Sequence, residues 1–440
     1  MLIYISVLQI ARSHQGHIHE YQEGCFHSIF AGPTIGEYAY FLDWSSTRAF
    51  AAKTGTWVVK KEWPIPVNTY NYENYALTES SSGDKACLFH FHYETTGTHL
   101  KYALFDVNDA SIVEHDVGNG CPVMAQPKAR TLHGQVFLSD MSVTAASAVY
   151  KFNDNTGECT AMDNAADKVK ETMMGVFLVD GHPSDWLYFW SFDLQDLGND
   201  QFRIYFLSRQ RASPHNFTVF TYDTGTSEHL TAWNMNVFPI ASPYVHNTST
   251  TTHLYGDIFY VGPNETVVVL TGDLGSMPYS SWDPCMPQIM DNFIGKMIHI
   301  TNDDAQDVHA EICACGFRHP YHNQINRDNN VINIGDVGST QWEEFNIGTC
   351  NIEEPPANYG WPKYEGVQPR HNCSIANGTI LTEPTMSFEH CFGSTSTSSL
   401  STGAIIGISA AGLAVLLAIV YYFKRPQHAQ TQSLIGKLVF

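Results

Sequence analysis

Short alternating apolar runs, each stopped by Asn or Asp and a Gly-containing turn, recur along most of this chain and restrict it to antiparallel β-structure. Ala148-Val149-Tyr150-Lys151-Phe152 leads into Asn155-Thr156-Gly157, and Thr218-Val219-Phe220-Thr221-Tyr222 into Asp223-Thr224-Gly225. Looser copies are Tyr102 to Phe105 before Asn108-Asp109, and Phe50 to Val59 around Thr54-Gly55. Asn, Asp and Gly reach the backbone angles that tight hairpins demand. Long helical periodicity is hard to find; Ala165 to Met174 is the best short candidate. Hairpins repeated from about Cys25 to Cys391 predict an all-β fold, a β-propeller whose radial blades leave few exposed edges. A pair of β-sandwiches is the alternative from pattern alone. The 440 residues are 43% hydrophobic and include 25 Phe, 22 Tyr and 9 Trp, enough for a sizeable core and too many for a disordered chain.

A different regime begins near the C-terminus. Gly403 to Phe423 is a run of 21 uncharged residues, GAIIGISAAGLAVLLAIVYYF, long enough as a helix to span roughly 30 Å of hydrocarbon. Tyr421 and Tyr422 lie at one rim, and Lys424 and Arg425 follow at once, a basic edge expected to face the cytosol. The expectation is therefore one transmembrane helix at 403–423 and a cytoplasmic tail at 424–440. The residues before it are placed outside, as in a single-pass type I protein of the cell membrane or secretory pathway. Met1 to Ala11 is a short apolar run with a small-x-small site at Ala11-Arg12-Ser13, which reads as a signal peptide over 1–16. All ten cysteines precede the membrane run, an even number suited to disulfides. Glycosylation sequons begin at Asn216, Asn247, Asn264, Asn372 and Asn377. Residues 393–402, GSTSTSSLST, form a low-complexity stalk. Gly403, Gly407 and Ala411 recur at four-residue spacing, a candidate homodimer face.

Charge narrows the partners. The formal net charge is −21, and without Lys424, Arg425 and Lys437 the outer part carries 20 basic against 44 acidic residues. A surface of that sign excludes a nucleic-acid partner, since nothing would neutralise phosphates. It suits a cation site or a solubilising acidic shell.

Gly-rich phosphate loops, nucleophile elbows and HExxH zinc helices are absent from the sequence. His17-x-His19 and His90-x-His92 each place two imidazoles on one strand face, without an evident third ligand. Cys313-x-Cys315 is too tight for a usual zinc knuckle. The informative stretch is Thr252 to Gly366. It holds His253-Leu-Tyr-Gly256, Gly262-Pro263, Thr271-Gly272-Asp273-Leu-Gly275, Gly295 to Ile300, Gly316-Phe-Arg318-His-Pro320, Gly335-Asp336-Val-Gly338, Trp342 to Asn346 and Asn358-Tyr-Gly-Trp361-Pro. Several of these units end an apolar run with Gly and a polar residue, as strand ends at a propeller mouth do. His253, Asp273, Arg318, Asp336, Glu343 and Glu344 are the side chains that such ends would gather.

In their order and combination, GDxG, GKxxxI, GxRxP, GDVG, WEExN and NYGWP resemble the glucose/sorbosone dehydrogenase family of quinoprotein sugar dehydrogenases, with hedgehog-interacting-protein-like relatives. The resemblance covers about a quarter of the chain, within 236–392, and leaves 25–235 as blades of weak match. It implies a propeller of about six blades, or an incomplete ring where the membrane run arrives early. It implies His253 as general base toward a sugar hydroxyl, with Asp273 orienting it. Arg318 and His319 fall where pyrroloquinoline quinone is contacted. Asp336, Val337 and Gly338 fall where calcium is held, with Glu343 as a neighbouring acid. Ser276-Met277 and His319 depart from the family pattern, and only Lys363 and Arg370 remain after Trp361 to pair the quinone's carboxylates. Two functions follow from the resemblance: a quinone- and calcium-dependent sugar oxidoreductase, or a catalytically silent ectodomain that binds a glycan or a protein ligand.

Overall fold

The computed structural model describes residues 26, 28–43, 47–65, 75–94, 97–122, 124, 127–140, 149–162, 187–210, 216–225, 230–236, 253, 255–262, 266–273, 284–302, 308–339 and 341–389. Within them five four-stranded sheets and one six-stranded sheet begin one after another in chain order, beside a two-stranded pair of Tyr364–Glu365 and Gln368–Pro369. Their first strands are Ile29–Ile35, Tyr75–Glu79, Pro127–Leu132, Leu187–Gly198, Tyr255–Gly262 and Gln324–Asn326. The four-stranded sheets are antiparallel throughout, the six-stranded one adds two short parallel strands, Ala357–Asn358 and Ile380–Leu381, and these first strands pack against those of neighbouring sheets around a central axis. The fold is an all-β propeller rather than a pair of sandwiches.

The predicted hairpins form where the turn chemistry lies. Val149–Asn153 turns into Glu158–Ala161 with Gly157 at φ 75°, and Asn153 Oδ1 accepts from Asn155 N–H at 3.0 Å. Thr54-Gly55 likewise opens the turn between Arg48–Lys53 and Val58–Pro64. The sheets bury separate apolar clusters between their faces, so the core is a ring of interfaces rather than one centre.

The ring closes between its last and first sheets. Ala31 N–H donates to His322 O at 2.9 Å, and Asn333 Nδ2 to Gly32 O at 2.9 Å. Phe26 N–H donates to Glu389 O at 2.7 Å, beside Met386–Glu389, the outermost strand of the last sheet. An incomplete ring is therefore not what forms: the N-terminal half, which the motifs match only weakly, supplies four whole sheets.

The axis is polar. Asp257 Oδ1 accepts from Lys128 Nζ at 3.0 Å, Arg130 Nη2 at 2.8 Å and Ser191 Oγ at 2.6 Å. Its Oδ2 accepts from Asn323 N–H at 2.7 Å and Asn323 Nδ2 at 3.0 Å. Gln324 Nε2 extends the network to Leu77 O at 2.6 Å. One fully buried carboxylate thus joins the third, fourth, fifth and sixth sheets, and Gln324 adds the second. Burial alone would raise the Asp257 carboxyl, but Lys128, Arg130 and Ser191 hold it well below the usual range. Burial in turn lowers the Lys128 ammonium to about 8, against the pull of Asp257.

Disulfides join Cys121 to Cys159, Cys285 to Cys373 and Cys313 to Cys350, while Cys87 and Cys315 are free and buried. Cys87 and Cys315 therefore stand outside the disulfides that the even count suits. Cys313-x-Cys315 splits into one bridged and one free thiol, so it is no metal knuckle. The Cys285–Cys373 bridge spans 88 residues. Replacing both cysteines by serine is expected to lower the unfolding free energy by about 3 kcal/mol, read from denaturant midpoints; an unchanged midpoint would contradict the bridge's role.

No helix among the described residues is long and apolar enough to cross a membrane. The predicted span at 403–423, the dimer face within it, the signal peptide, the stalk, the tail, His17-x-His19 and the Ala165–Met174 helix all lie outside the described residues. Asn372 and Asn377 are exposed.

Candidate functional site

Strand ends from the fifth and sixth sheets, with the 357–370 insertion, build a cluster around His253. Its Nδ1 lies 3.0 Å from Asp273 Oδ1, and Trp361 Nε1–H donates to Asp273 Oδ2 at 2.9 Å. Asp273 is thus held from two sides, and with its Nδ1 on the carboxylate, His253 presents Nε2 as an acceptor. The His253 side chain is 16% exposed. The imidazole of His319 stacks on that of His253, with centroids 4.4 Å apart, and on Tyr321 at 5.1 Å. Burial, followed by the charges of its neighbours, holds His319 well below the ordinary imidazole range, so it stays neutral beside the pair.

Glycine makes this approach possible. A Cβ on Gly272 would lie 1.9 Å from His253 O and 2.5 Å from Arg318 O. Asp273 N–H donates to Arg318 O at 2.7 Å. The GDxG and GxRxP units are therefore laced together backbone to backbone. The other motifs support them from behind. Lys296 is buried, and its amine donates to Pro287 O at 2.9 Å and Ile294 O at 2.6 Å. Asn358 and Gln288 exchange side-chain hydrogen bonds at 2.7 and 3.0 Å under Gly316.

Arg318 closes the third side. Its Nη1 donates to Val337 O and Gly338 O, both at 2.6 Å, and the guanidinium lies 5.7 Å from the Trp361 ring centroid. Asp336 turns its carboxylate toward the backbone, accepting from Arg318 N–H at 3.0 Å and His319 N–H at 2.6 Å. A Cβ on Gly338 would lie 1.6 Å from Trp342 O, so the loop is pinned.

The Val337 and Gly338 carbonyls, which the resemblance assigns to calcium, are bonded to a guanidinium of this chain. Among the described residues no three His, Cys, Asp or Glu side chains stand close enough to hold a metal. This donor set does not fit calcium. A quinone with three carboxylates fits no better: of the described cations from the N-terminal half that reach the axis, Lys128 lies 5.1 Å from the Tyr321 ring but is paired with Asp257, as is Arg130. Anions left unpaired in such a pocket would be costly.

Glu343 is not beside the loop. It is fully buried on the face toward the first sheet, where Ile29 N–H donates to its Oε2 at 3.3 Å. Strand alternation gives the other face to Glu344, directly opposite Asp336 in the register. Glu344 accepts from Gly366 N–H at 2.6 Å and Asn346 Nδ2 at 3.2 Å. His90 Nε2 lies 2.5 Å from Glu114 Oε1.

Burial raises the Asp336 carboxyl to about 7, and burial and Asp336 raise that of Glu344. The folded protein therefore holds protons that the unfolded chain releases. The stability these groups contribute is complete below the ordinary carboxylate range and is lost as pH rises through about 7. Between pH 7.5 and 5 this gain opposes the loss that the buried neutral His319 and His322 impose below about 6.5, so Glu344→Gln should steepen the fall of the denaturant midpoint as pH is lowered. Equal slopes in both proteins would contradict the assignment.

Residues 228–404 match the Glucose / Sorbosone dehydrogenase family. The match takes in all the motifs from His253 to Trp361 and leaves the first three sheets and most of the fourth outside it. None of the curated proteins matches this chain in sequence. Solved structures similar to it include the PQQ-bound form of aldose sugar dehydrogenase from Streptomyces coelicolor, with 19% identity, 62% of this chain and 70% of that one covered, and a TM-score of 0.37. Hydrazine synthase of Kuenenia stuttgartiensis is 12% identical over 76% of this chain and 79% of that one, TM-score 0.43. The six-bladed fungal lectin of Aleuria aurantia is 11% identical over 75% and 96%, TM-score 0.39.

The motifs missed three features of the site. Trp361 fixes Asp273, only Glu344 of the two acids named together lies opposite Asp336, and Lys128 stands behind Tyr321. One signal for the last was present: Lys128 and Arg130 alternate on one strand of a strongly acidic chain, which places both on the same face.

Proposed function

We propose that this chain is a membrane-anchored, extracellular propeller of glucose/sorbosone dehydrogenase type that binds a sugar at its central mouth and is silent toward a calcium-held quinone. One arrangement carries this reading. The His253 imidazole is oriented by Asp273 and open at Nε2, while the carbonyl pair beside it is already bonded to Arg318. An oriented acceptor of this kind takes a hydrogen bond from a sugar hydroxyl. The uncharged run at 403–423 and its basic edge support the anchor.

The intact His253–Asp273 pair favours a second reading, proton abstraction from the sugar's anomeric hydroxyl in an oxidoreductase, where pyrroloquinoline quinone would supply the hydride acceptor and calcium its polarisation. The two readings separate experimentally. The detergent-solubilised chain is titrated with a panel of monosaccharides, and dye reduction is followed after addition of the quinone and calcium. The first reading expects saturable sugar binding, weakened at least about tenfold in His253→Ala by loss of the hydroxyl contact, with no dye reduction. Dye reduction abolished by His253→Ala would replace it with the second, and sugar binding unchanged in that variant would overturn both.

A further inference from the structure

Arg318 is 8% exposed and uses one nitrogen for two hydrogen bonds. Nη1 donates to Val337 O and Gly338 O, and Trp361 lies against the guanidinium. Among the described residues, the buried Nε–H has no hydrogen-bond partner. A buried donor left unmet is costly, and beside an oriented imidazole it marks where a ligand atom belongs. Nε–H and the adjacent N–H of Nη2 point the same way, and together they form the edge on which a guanidinium takes a carboxylate with two parallel hydrogen bonds. The opposite side of the fork is fixed by the two carbonyls, so that edge is pre-organised. The same residue's backbone carbonyl is bonded to Asp273 N–H, which places it next to the carboxylate that orients His253.

We propose that the sugar this site prefers is an acidic one, a uronic acid or a related sugar carboxylate, with its carboxylate on the Nε–Nη2 edge of Arg318 and a ring hydroxyl on His253. This inference rests on the sugar-binding reading above. Here a resident guanidinium does what a divalent ion would otherwise do, offering fixed positive charge to a ligand oxygen, so binding requires no metal. Asp336, the nearest acid on the loop, spends its carboxylate on two backbone N–H groups rather than on the guanidinium's open edge.

The test is a calorimetric titration of the solubilised full chain in chelator with glucose, glucuronate and the methyl ester of glucuronate. Glucuronate is expected to bind at least about tenfold more tightly than glucose, as a charge-assisted bidentate pair allows. The ester should fall back to the glucose value, which makes the result independent of any variant's folding. Arg318→Lys should reduce the preference to less than about threefold, because an ammonium cannot match both oxygens. Equal affinities for glucose and glucuronate, or an ester that binds as tightly as the acid, would overturn the inference and leave the sugar site standing. Failure of all three ligands to bind would remove the sugar site and this inference together.

Discussion

Replacing Asp257 by alanine is expected to destabilise the propeller by about 4 kcal/mol, the largest effect of any single substitution in the axis. The carboxylate is fully buried and accepts five hydrogen bonds, from Lys128, Arg130, Ser191 and twice from Asn323. Its removal leaves the Lys128 ammonium buried without its counter-charge and the Arg130 guanidinium with only Asp193, 3.9 Å away and shared with Arg327, and desolvation of the unpaired ion dominates the outcome. It also unlinks four sheets at once, so unfolding should lose cooperativity as well as midpoint. Asp257→Asn preserves part of the hydrogen bonding and none of the charge, and should fall between the two. Denaturant unfolding by intrinsic fluorescence reads both effects; a loss below about 1 kcal/mol would mean that the network is solvated and contributes little.

Gly272→Ala is expected to be the most damaging change at the site itself. The new methyl would sit 1.9 Å from His253 O and 2.5 Å from Arg318 O, both backbone atoms that cannot swing aside. Overpacking of this sort typically costs about 1–3 kcal/mol, and the backbone contacts on both sides argue for the upper end. The more specific consequence is geometric. Forcing the two strand ends apart breaks the Asp273 N–H bond to Arg318 O and pulls the oriented imidazole away from the guanidinium. Ligand binding should be lost in a protein that still unfolds cooperatively. Retention of wild-type affinity by Gly272→Ala would show that the ligand does not use both groups.

The all-β character and several hairpins were legible because turn chemistry is local: Asn153, Gly157 and Gly225 act within their own turns. The juxtaposition of His253 with Asp273 was legible only through the combination of motifs, since the two are brought together by backbone contacts between Gly272 and residues 253 and 318. The axis was not legible. Lys128, Ser191, Asp257 and Asn323 come from four different sheets, and no local pattern announces that four strand starts converge. Glu343 and Glu344 differ by one position, and one step along a strand reverses the face. The choice between them depended on a register that the sequence does not print. The fate of the Val337 and Gly338 carbonyls likewise turned on where the Arg318 side chain folds back, a tertiary fact.

Two contacts decide what this mouth does: the group that holds those two carbonyls and the group that His253 receives. A diffraction structure of the protein grown with a sugar and calcium together measures both at once. The prediction is a sugar hydroxyl within hydrogen-bond distance of His253 Nε2 while Arg318 Nη1 remains on Val337 O and Gly338 O. A calcium ion between those carbonyls, with Arg318 displaced, would contradict it.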